Sequence, residues 1–296
     1  MGSGLKRWLY NQRFSTAKPI KQPNCVTKIT QNKWKIGPYT LEKIPQGYQL
    51  TKNGKTIGTY PKAKIQTNRI LLEKDLGMLL EVTAKGHRDI LTIHKARLIA
   101  GICGDGSVTR GKGAVFKFIN SDPKLIKMFL EALEKTYGKI NFYTSIDYRK
   151  ENPVTHIYVS NRFLVEDVYK YCKKRGAEYW RIPIKYLDRE AAREFINFYF
   201  SCDGSFDYRP KKGMRVIIFK SKCREALEDV KEVLEKFFNI QTRYKTPDHN
   251  KSKCTYYYRL VVSRKRNLKK FFQQGLTSYR GDHEIIIREL KRWALK

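Results

Sequence analysis

Two aspartates stand at matching points of two similar stretches. Asp105 lies near the end of Ala96-Arg97-Leu98-Ile99-Ala100-Gly101-Ile102-Cys103-Gly104-Asp105-Gly106-Ser107. Asp203 lies near the end of Ala192-Arg193-Glu194-Phe195-Ile196-Asn197-Phe198-Tyr199-Phe200-Ser201-Cys202-Asp203-Gly204-Ser205. Both apolar runs close in Asp-Gly-Ser, 98 residues apart. Each run is helical by length and periodicity. A helix that is apolar nearly all round must be buried, and two such helices in a repeat can pack on each other. The small residues Ala100, Gly101 and Gly104 allow close approach. Asp105 and Asp203 then meet at the carboxyl end of the pair, where the helix macrodipole is already negative. Two carboxylates there are unfavourable unless a cation is bound. Hard divalent ions take carboxylate and water oxygens, and Mg²⁺ also takes phosphate oxygens. Beside a phosphodiester, such a pair with its metal can activate water and stabilise the leaving oxygen. The plainer alternative is that Asp-Gly only marks a turn at a helix end.

The elements that must position these aspartates are themselves repeated. After Ser107 come a basic stretch, a strand candidate Ala114–Ile119 and a helix over Pro123–Tyr137, with Pro123 in the first turn. After Ser205 come a basic stretch, a strand over Met214–Phe219 and a helix over Arg224–Phe238. Strand pairs ending in Ile157–Asn161 and Leu260–Arg264 follow, then helices over Phe163–Lys173 and Asn267–Gln273. Asp188 caps the start of the second apolar helix. The unit is helix, strand, strand, helix, strand, strand, helix, twice over. The expected organisation is a basic β-rich extension over 1–88, a first repeat over 89–188 and a second over 189–296. In the extension, Asn53-Gly54 marks a tight hairpin within Gly47–Tyr60. Leu71–Val82 reads as a short helix and Lys85-Gly86-His87 as a linker. Met1-Gly2-Ser3-Gly4 reads as an added or loose start, with no signal segment after it.

Composition narrows the partner. The 296 residues hold 61 Lys+Arg against 28 Asp+Glu, a formal charge of +33. A protein this basic repels itself when folded, so the excess suits a polyanion, nucleic acid above all. A thermophile-like charged surface would be nearly balanced in sign. With 41% hydrophobic residues the chain can build a core. It lacks an apolar run long enough to span a membrane. The six cysteines form no C-x-x-C pair, which speaks against a zinc ribbon. Cys103 and Cys202 read as small core residues, and scattered cysteines fit a reducing interior, cytoplasmic or organellar. The five histidines form no metal spacing, and no P-loop is present.

The double motif, Leu98–Gly106 and Ile196–Gly204, resembles the LAGLIDADG homing endonucleases in their single-chain, two-motif form. Arg181-Ile182-Pro183 and Tyr258–Ser263 resemble the flanking blocks, and the likeness covers about residues 92 to 296. It departs at the first acidic position of each motif, here Cys103 and Ser201, at the family's glycine, here Ala100 and Phe198, and at Tyr199, bulky where close helix contact is expected. The resemblance implies an α+β fold, a pseudo-twofold pair of αββαββα repeats with saddle-shaped antiparallel sheets, beside the small β-rich N-terminal domain. It implies a monomer that cuts both strands of a long double-stranded DNA site. Mg²⁺, or Mn²⁺ or Ca²⁺ in its place, would be held by Asp105 and Asp203 with Gly104 and Cys202. Arg181 and Arg280, each five residues after a glycine, are the candidate basic partners of the scissile phosphate; Lys173 and Lys174 compete in the first half. Sheet residues expected to touch DNA are Arg110, Lys112, Lys117, Tyr143, Asp147, Tyr148 and Arg149, mirrored by Arg209, Lys211, Lys212, Arg215, Lys220, Arg243, Lys245, Tyr256, Tyr258 and Arg259. A solvated strand face or phosphate contact is the simpler alternative for any one of them.

Two rivals share the fold: a DNA-binding regulator that does not cut, and a maturase that binds intron RNA. An intein is disfavoured, because the chain neither opens with a Cys or Ser nucleophile nor ends in His-Asn. A free-standing or intron-encoded enzyme is the expectation.

Overall fold

The computed structural model describes residues 25–149, 151–250 and 255–296, so residues 1–4 lie outside what it describes. The described residues divide into two compact units, those of 25–72 with 81–87 and those of 73–80 with 88–296.

The first unit contains a five-stranded antiparallel sheet in sequential order: β1 (Thr27–Thr30), β2 (Lys33–Ile36), β3 (Tyr39–Ile44), β4 (Gly47–Lys52) and β5 (Lys55–Tyr60). The β4–β5 turn is Asn53-Gly54, with φ of 50° and 81°. Those two positive angles are what a tight primed turn requires. The buried side chains Ile36, Tyr39, Leu41 and Leu50 alternate with polar ones along these strands.

Residues 63–91 form a second sheet, of β6 (Ala63–Ile65), β7 (Ile70–Lys74), β8 (Met78–Thr83) and β9 (Gly86–Leu91), and the division between units runs through its strands. The helix expected over Leu71–Val82 is therefore a hairpin. Its leucines repeat at spacings that also fit two short strands. The chain reverses at Leu76 and Gly77, both with positive φ. A Cβ on Gly77 would lie 2.9 Å from Thr136 Cγ2, so only glycine fits this bend. The linker expected at 85–87 is instead the turn at Lys85 and the start of β9, which ends at Leu91, one residue before Thr92. The Thr92 hydroxyl accepts from the Lys95 N–H and caps the next helix.

That helix opens the repeated part. The first repeat is α1 (Ile93–Cys103), β10 (Gly106–Thr109), β11 (Val115–Asn120), α2 (Pro123–Tyr137), β12 (Tyr143–Asp147), β13 (Val154–Val159) and α3 (Arg162–Cys172). The second is α4 (Arg189–Asp203), β14 (Gly204–Arg209), β15 (Met214–Ser221), α5 (Arg224–Phe238), β16 (Arg243–Asn250), β17 (Thr255–Val262) and α6 (Lys265–Gln273). Both sheets have the same strand order, β10-β11-β13-β12 and β14-β15-β17-β16, and every pairing is antiparallel. The fold class is α+β. Pro123 is the first residue of α2, capped by Asp122, and Asp188 caps α4 by accepting from the Ala191 N–H. A further helix, α7 (Glu284–Leu295), follows the second repeat.

α1 packs along α4 at the centre of the core. Glycines of α1 leave room for side chains of α4 and, at Gly101, also of α2. A Cβ on Gly101 would lie 3.0 Å from Phe198 Cε1 and 2.9 Å from Phe129 Cδ2. A Cβ on Gly104 would lie 2.5 Å from Cys202 Cβ. Phe198 thus fills the space that the first helix leaves. Tyr199 turns instead toward its own sheet, donating to the Lys220 carbonyl at 2.8 Å and packing on Trp180.

Candidate active site at the paired helix ends

Each aspartate sits where a core helix gives way to the first strand of its sheet. α1 ends at Cys103 with Gly104 as its C-cap, and Asp105 leads into β10. Asp203 is the last residue of α4, and Gly204 begins β14. The glycine after each aspartate is required by close approach. A Cβ on Gly106 would lie 2.5 Å from Ile102 Cα, and one on Gly204 2.1 Å from Phe200 Cδ2. The repeated Asp-Gly therefore reflects a strand folded hard against the helix it leaves.

The two carboxyls are half-buried and feel each other. Burial and the charge of Asp105 push Asp203 up to about 7. Burial also raises Asp105, against hydrogen bonds from Cys202 and Asn120 that favour its charged form. The Asn120 amide donates to Asp105 Oδ2 at 2.7 Å. A single ammonium is anchored beside both. Lys174 is buried, and its Nζ donates to the carbonyls of Ile102 at 2.8 Å, Cys103 at 2.7 Å and Gly104 at 3.1 Å. It satisfies the orphan carbonyls of α1 and lowers the cost of charge on both aspartates.

The donor set fits a hard, hydrated cation. Among the described residues no group of three or more His, Cys, Asp or Glu side chains converges to hold a metal. Two carboxylates without a third ligand suit Mg²⁺, which keeps its waters and takes substrate phosphate oxygens. Cys202 offers no thiolate, because burial and then the charge of Asp105 raise its thiol well above the usual range. The Gly104 carbonyl already accepts a hydrogen bond from Lys174 Nζ, which competes with a cation at that oxygen.

The two candidate arginines differ in place. Arg280 lines a cleft of about 560 Å³ together with Asp105, Asn120, Asp122 and Cys202, and its charge acts on Asp105. It is paired with Asp282, donating from Nε at 2.9 Å. Arg181 lines another cleft, with Asp229 and Tyr179. Asp229 takes it in a bidentate pair at 2.6 and 2.7 Å and also accepts from the Ile182 N–H. The cation beside the aspartates from the first repeat is Lys174. Lys174 follows α3 by two residues, and only its burial separates it from Lys173. Asn120 gave no motif signal; it is the last residue of β11, facing Asp105 across the first turn of the sheet.

Strand register sorts the expected sheet residues. Phe116 and Phe118 face the helices, so Lys117 projects on the opposite face, over the Tyr158 ring at 5.1 Å. Tyr143 shares that face through its pairing with Tyr158, as does Asp147 through Val154. Tyr148 and Arg149 follow β12; both are exposed, and Arg149 is bidentate to Asp147. Arg110 and Lys112 lie in the loop after β10, and Arg110 is held by Glu166 and stacked on Tyr169. In the second sheet, Arg209, Lys220, Arg243, Lys245 and Arg259 share the face away from the helices. Lys211 and Lys212 are exposed in the turn after β14. Arg215 is a correction. It is two residues from Ile217 and four from Phe219, both core, so alternation turns it inward, where it stacks on Trp293 of α7 at 4.8 Å. Tyr258 faces the core for the same reason. The Tyr256 side chain lies outside what the structure describes.

Residues 190–274 match the family model of the LAGLIDADG-like domain. The second repeat is a LAGLIDADG-like domain. The first repeat has its element order and strand order. Among curated relatives, the replication factor C small subunit of Methanocaldococcus jannaschii is 29% identical over 169 residues, 57% of this chain and 8% of the relative. That of Thermococcus kodakarensis is 27% identical over 190 residues, 64% of this chain and 20% of the relative. The chain thus matches only a small part of each. Solved structures with partial likeness include variants of the homing endonuclease I-DmoI (15% identity, 61% of this chain and 87% of that one, TM-score 0.40). Full-length DUF199/WhiA from Thermatoga maritima (14%, 67% and 60%, 0.44) and the homing endonuclease I-WcaI bound to its DNA recognition sequence (13%, 62% and 80%, 0.41) are comparable. Among the described residues no helix is long and apolar enough to cross a membrane.

Proposed function

We propose that this chain is a site-specific DNA endonuclease that hydrolyses phosphodiester bonds on both strands of a long duplex site, with Mg²⁺ as its natural cofactor and as a single chain. The observation that carries the reading is the placing of Asp105 and Asp203 at the carboxyl ends of α1 and α4, which pack on each other in the core. Asp105 and Asp203 would hold the cation, which when bound supplies Lewis-acid stabilisation of phosphate charge and a more acidic water. Asn120 fixes the orientation of the Asp105 carboxylate through its amide. Arg280, permanently charged, stands on the cleft wall as a clamp for a phosphate oxygen rather than as a base. Lys174 acts as a positioning residue, tying off the carbonyls of α1 so that the aspartates alone face the phosphate. Lys211 and Lys212, exposed in the turn after β14, supply charge to the DNA backbone.

Plasmid cleavage is the test. A target site selected from a randomised duplex is cloned and incubated with Mg²⁺. Linear product is expected from the unaltered chain and not from Asp105→Asn/Asp203→Asn. Tight, specific duplex binding with no strand cut would contradict the nuclease reading and favour a non-cleaving regulator. Preference for intron RNA over duplex DNA would favour a maturase.

A further inference from the structure

The repeat gives an internal control, because the two sheets share strand order and register and can be compared position by position. Phe118 opposite Gly106 corresponds to Phe219 opposite Gly204. On the face away from the helices, the row nearest the aspartates is Ile119, His156 and Ser145 in the first sheet. In the second it is Lys220, Arg259 and Lys245, directly opposed across three strands. The next row is Lys117, Tyr158 and Tyr143 in the first sheet, and Ile218, Val261 and Arg243 in the second. In the first sheet Lys117 is the one Lys or Arg on this face of the strands. The second sheet has five such residues, counting Arg209.

The chemistry of the two faces has therefore diverged. In the second sheet Val216, Ile218 and Val261 form a small buried cluster of their own. The stems of Lys220, Lys245 and Arg243 rise beside this apolar floor, which leaves their charged heads directed outward. In the first sheet the rings form a contiguous platform. Tyr143 is 67% exposed, with its centroid 5.7 Å from that of Tyr158, and His156 stacks on Tyr158 at 6.0 Å. In a major groove, Arg and Lys heads pair with the guanine N7 and O6 acceptors, whereas an apolar ring surface contacts the C5-methyl of thymine.

We infer that the two repeats read the two halves of the DNA site by different chemistry: guanine acceptors by the Lys220–Arg259–Lys245 row and Arg243, thymine methyl groups by the Tyr143–Tyr158 platform. The inference rests on the duplex-binding reading above. Its experiment is selection of bound duplexes from a randomised pool by the full chain in chelator, so that cutting plays no part. The expected site is guanine-enriched in one half and thymine-enriched in the other. Tyr143→Ala/Tyr158→Ala should lose the thymine preference alone. On the selected site, replacing thymidine by deoxyuridine in that half should weaken binding by the unaltered chain about 5-fold or more. It should leave the double variant's affinity nearly unchanged. A site whose halves show the same base preference, or a deoxyuridine substitution without effect on the unaltered chain, overturns this inference and leaves specific binding intact. Recovery of no enriched sequence overturns both readings.

Discussion

At the scale of residues, the active-site candidates are defined by an uncomfortable charge. Asp203 holds its proton up to about pH 7 in the folded chain, against 3.8 for the free group. A raised carboxylate makes folding less favourable as pH climbs, because the unfolded chain ionises first. The penalty is absent below about pH 4, grows between 4 and 7 and is constant above. Asp203→Asn removes it. In chelator, urea unfolding should therefore show the variant on the order of 2–4 kcal/mol more stable at pH 8 and nearly equal at pH 4. Equal stability at both pH values would mean that the carboxyl is not crowded as described. The arginines offer a second contrast. Arg280→Ala should slow cleavage at least about 10-fold with little change in DNA affinity, as loss of one charge clamp predicts. Arg181→Ala should act mainly through stability, because it strands Asp229, which is almost fully buried. If single-turnover rates fall equally in both variants, the two arginines have the same role and the geometric distinction fails.

At the scale of elements, the contact between α1 and α4 sets where the aspartates meet. Gly104→Ala would place a Cβ 2.5 Å from the Cys202 Cβ. The helices must then part, at a cost of about 1–3 kcal/mol for overpacking. In a Cys202→Gly background that cost should largely vanish, and a double-mutant cycle by chemical denaturation measures it. An unchanged cost in the two backgrounds would place the strain elsewhere. Much of this level was legible in the sequence. The starts of α2 and α4 were signalled by Pro123 and Asp188, whose effects are local, and Asn53-Gly54 specified its own turn. What failed was decided by tertiary context. Leu71–Val82 carries a spacing shared by a helix and by two strands, and only the crowding at Gly77 settles it. Arg215 reads as a surface cation because residue type says nothing of strand parity until the core residues Ile217 and Phe219 fix it. Lys174 was indistinguishable from Lys173 until the end of α3 turned one of them under the carbonyls of α1.

At the scale of the whole molecule, the charge of +33 is unevenly spent on the two sheets. The second sheet's outer face is cationic and the first's is aromatic. Duplex affinity should fall steeply with salt, the log–log slope being about −0.9 per phosphate neutralised. Replacing Lys211 and Lys212, exposed in the turn after β14, by Gln should flatten that slope by up to about 2, while Tyr143→Ala should leave it alone. Binding titrations between low and physiological salt decide this, and a slope indifferent to the lysines would remove that turn from the DNA contact. In the endonuclease proposed above, Asp105 and Asp203 each serve the cutting of DNA. The fate of supercoiled plasmid carrying the selected site, in Mg²⁺, with each aspartate changed singly to Asn, tests this. Linear DNA is expected from the unaltered chain, nicked circles or intact plasmid from each single variant, and no strand cut by the double variant. Linear product from Asp105→Asn/Asp203→Asn at the unaltered rate would show that the two aspartates do not cut.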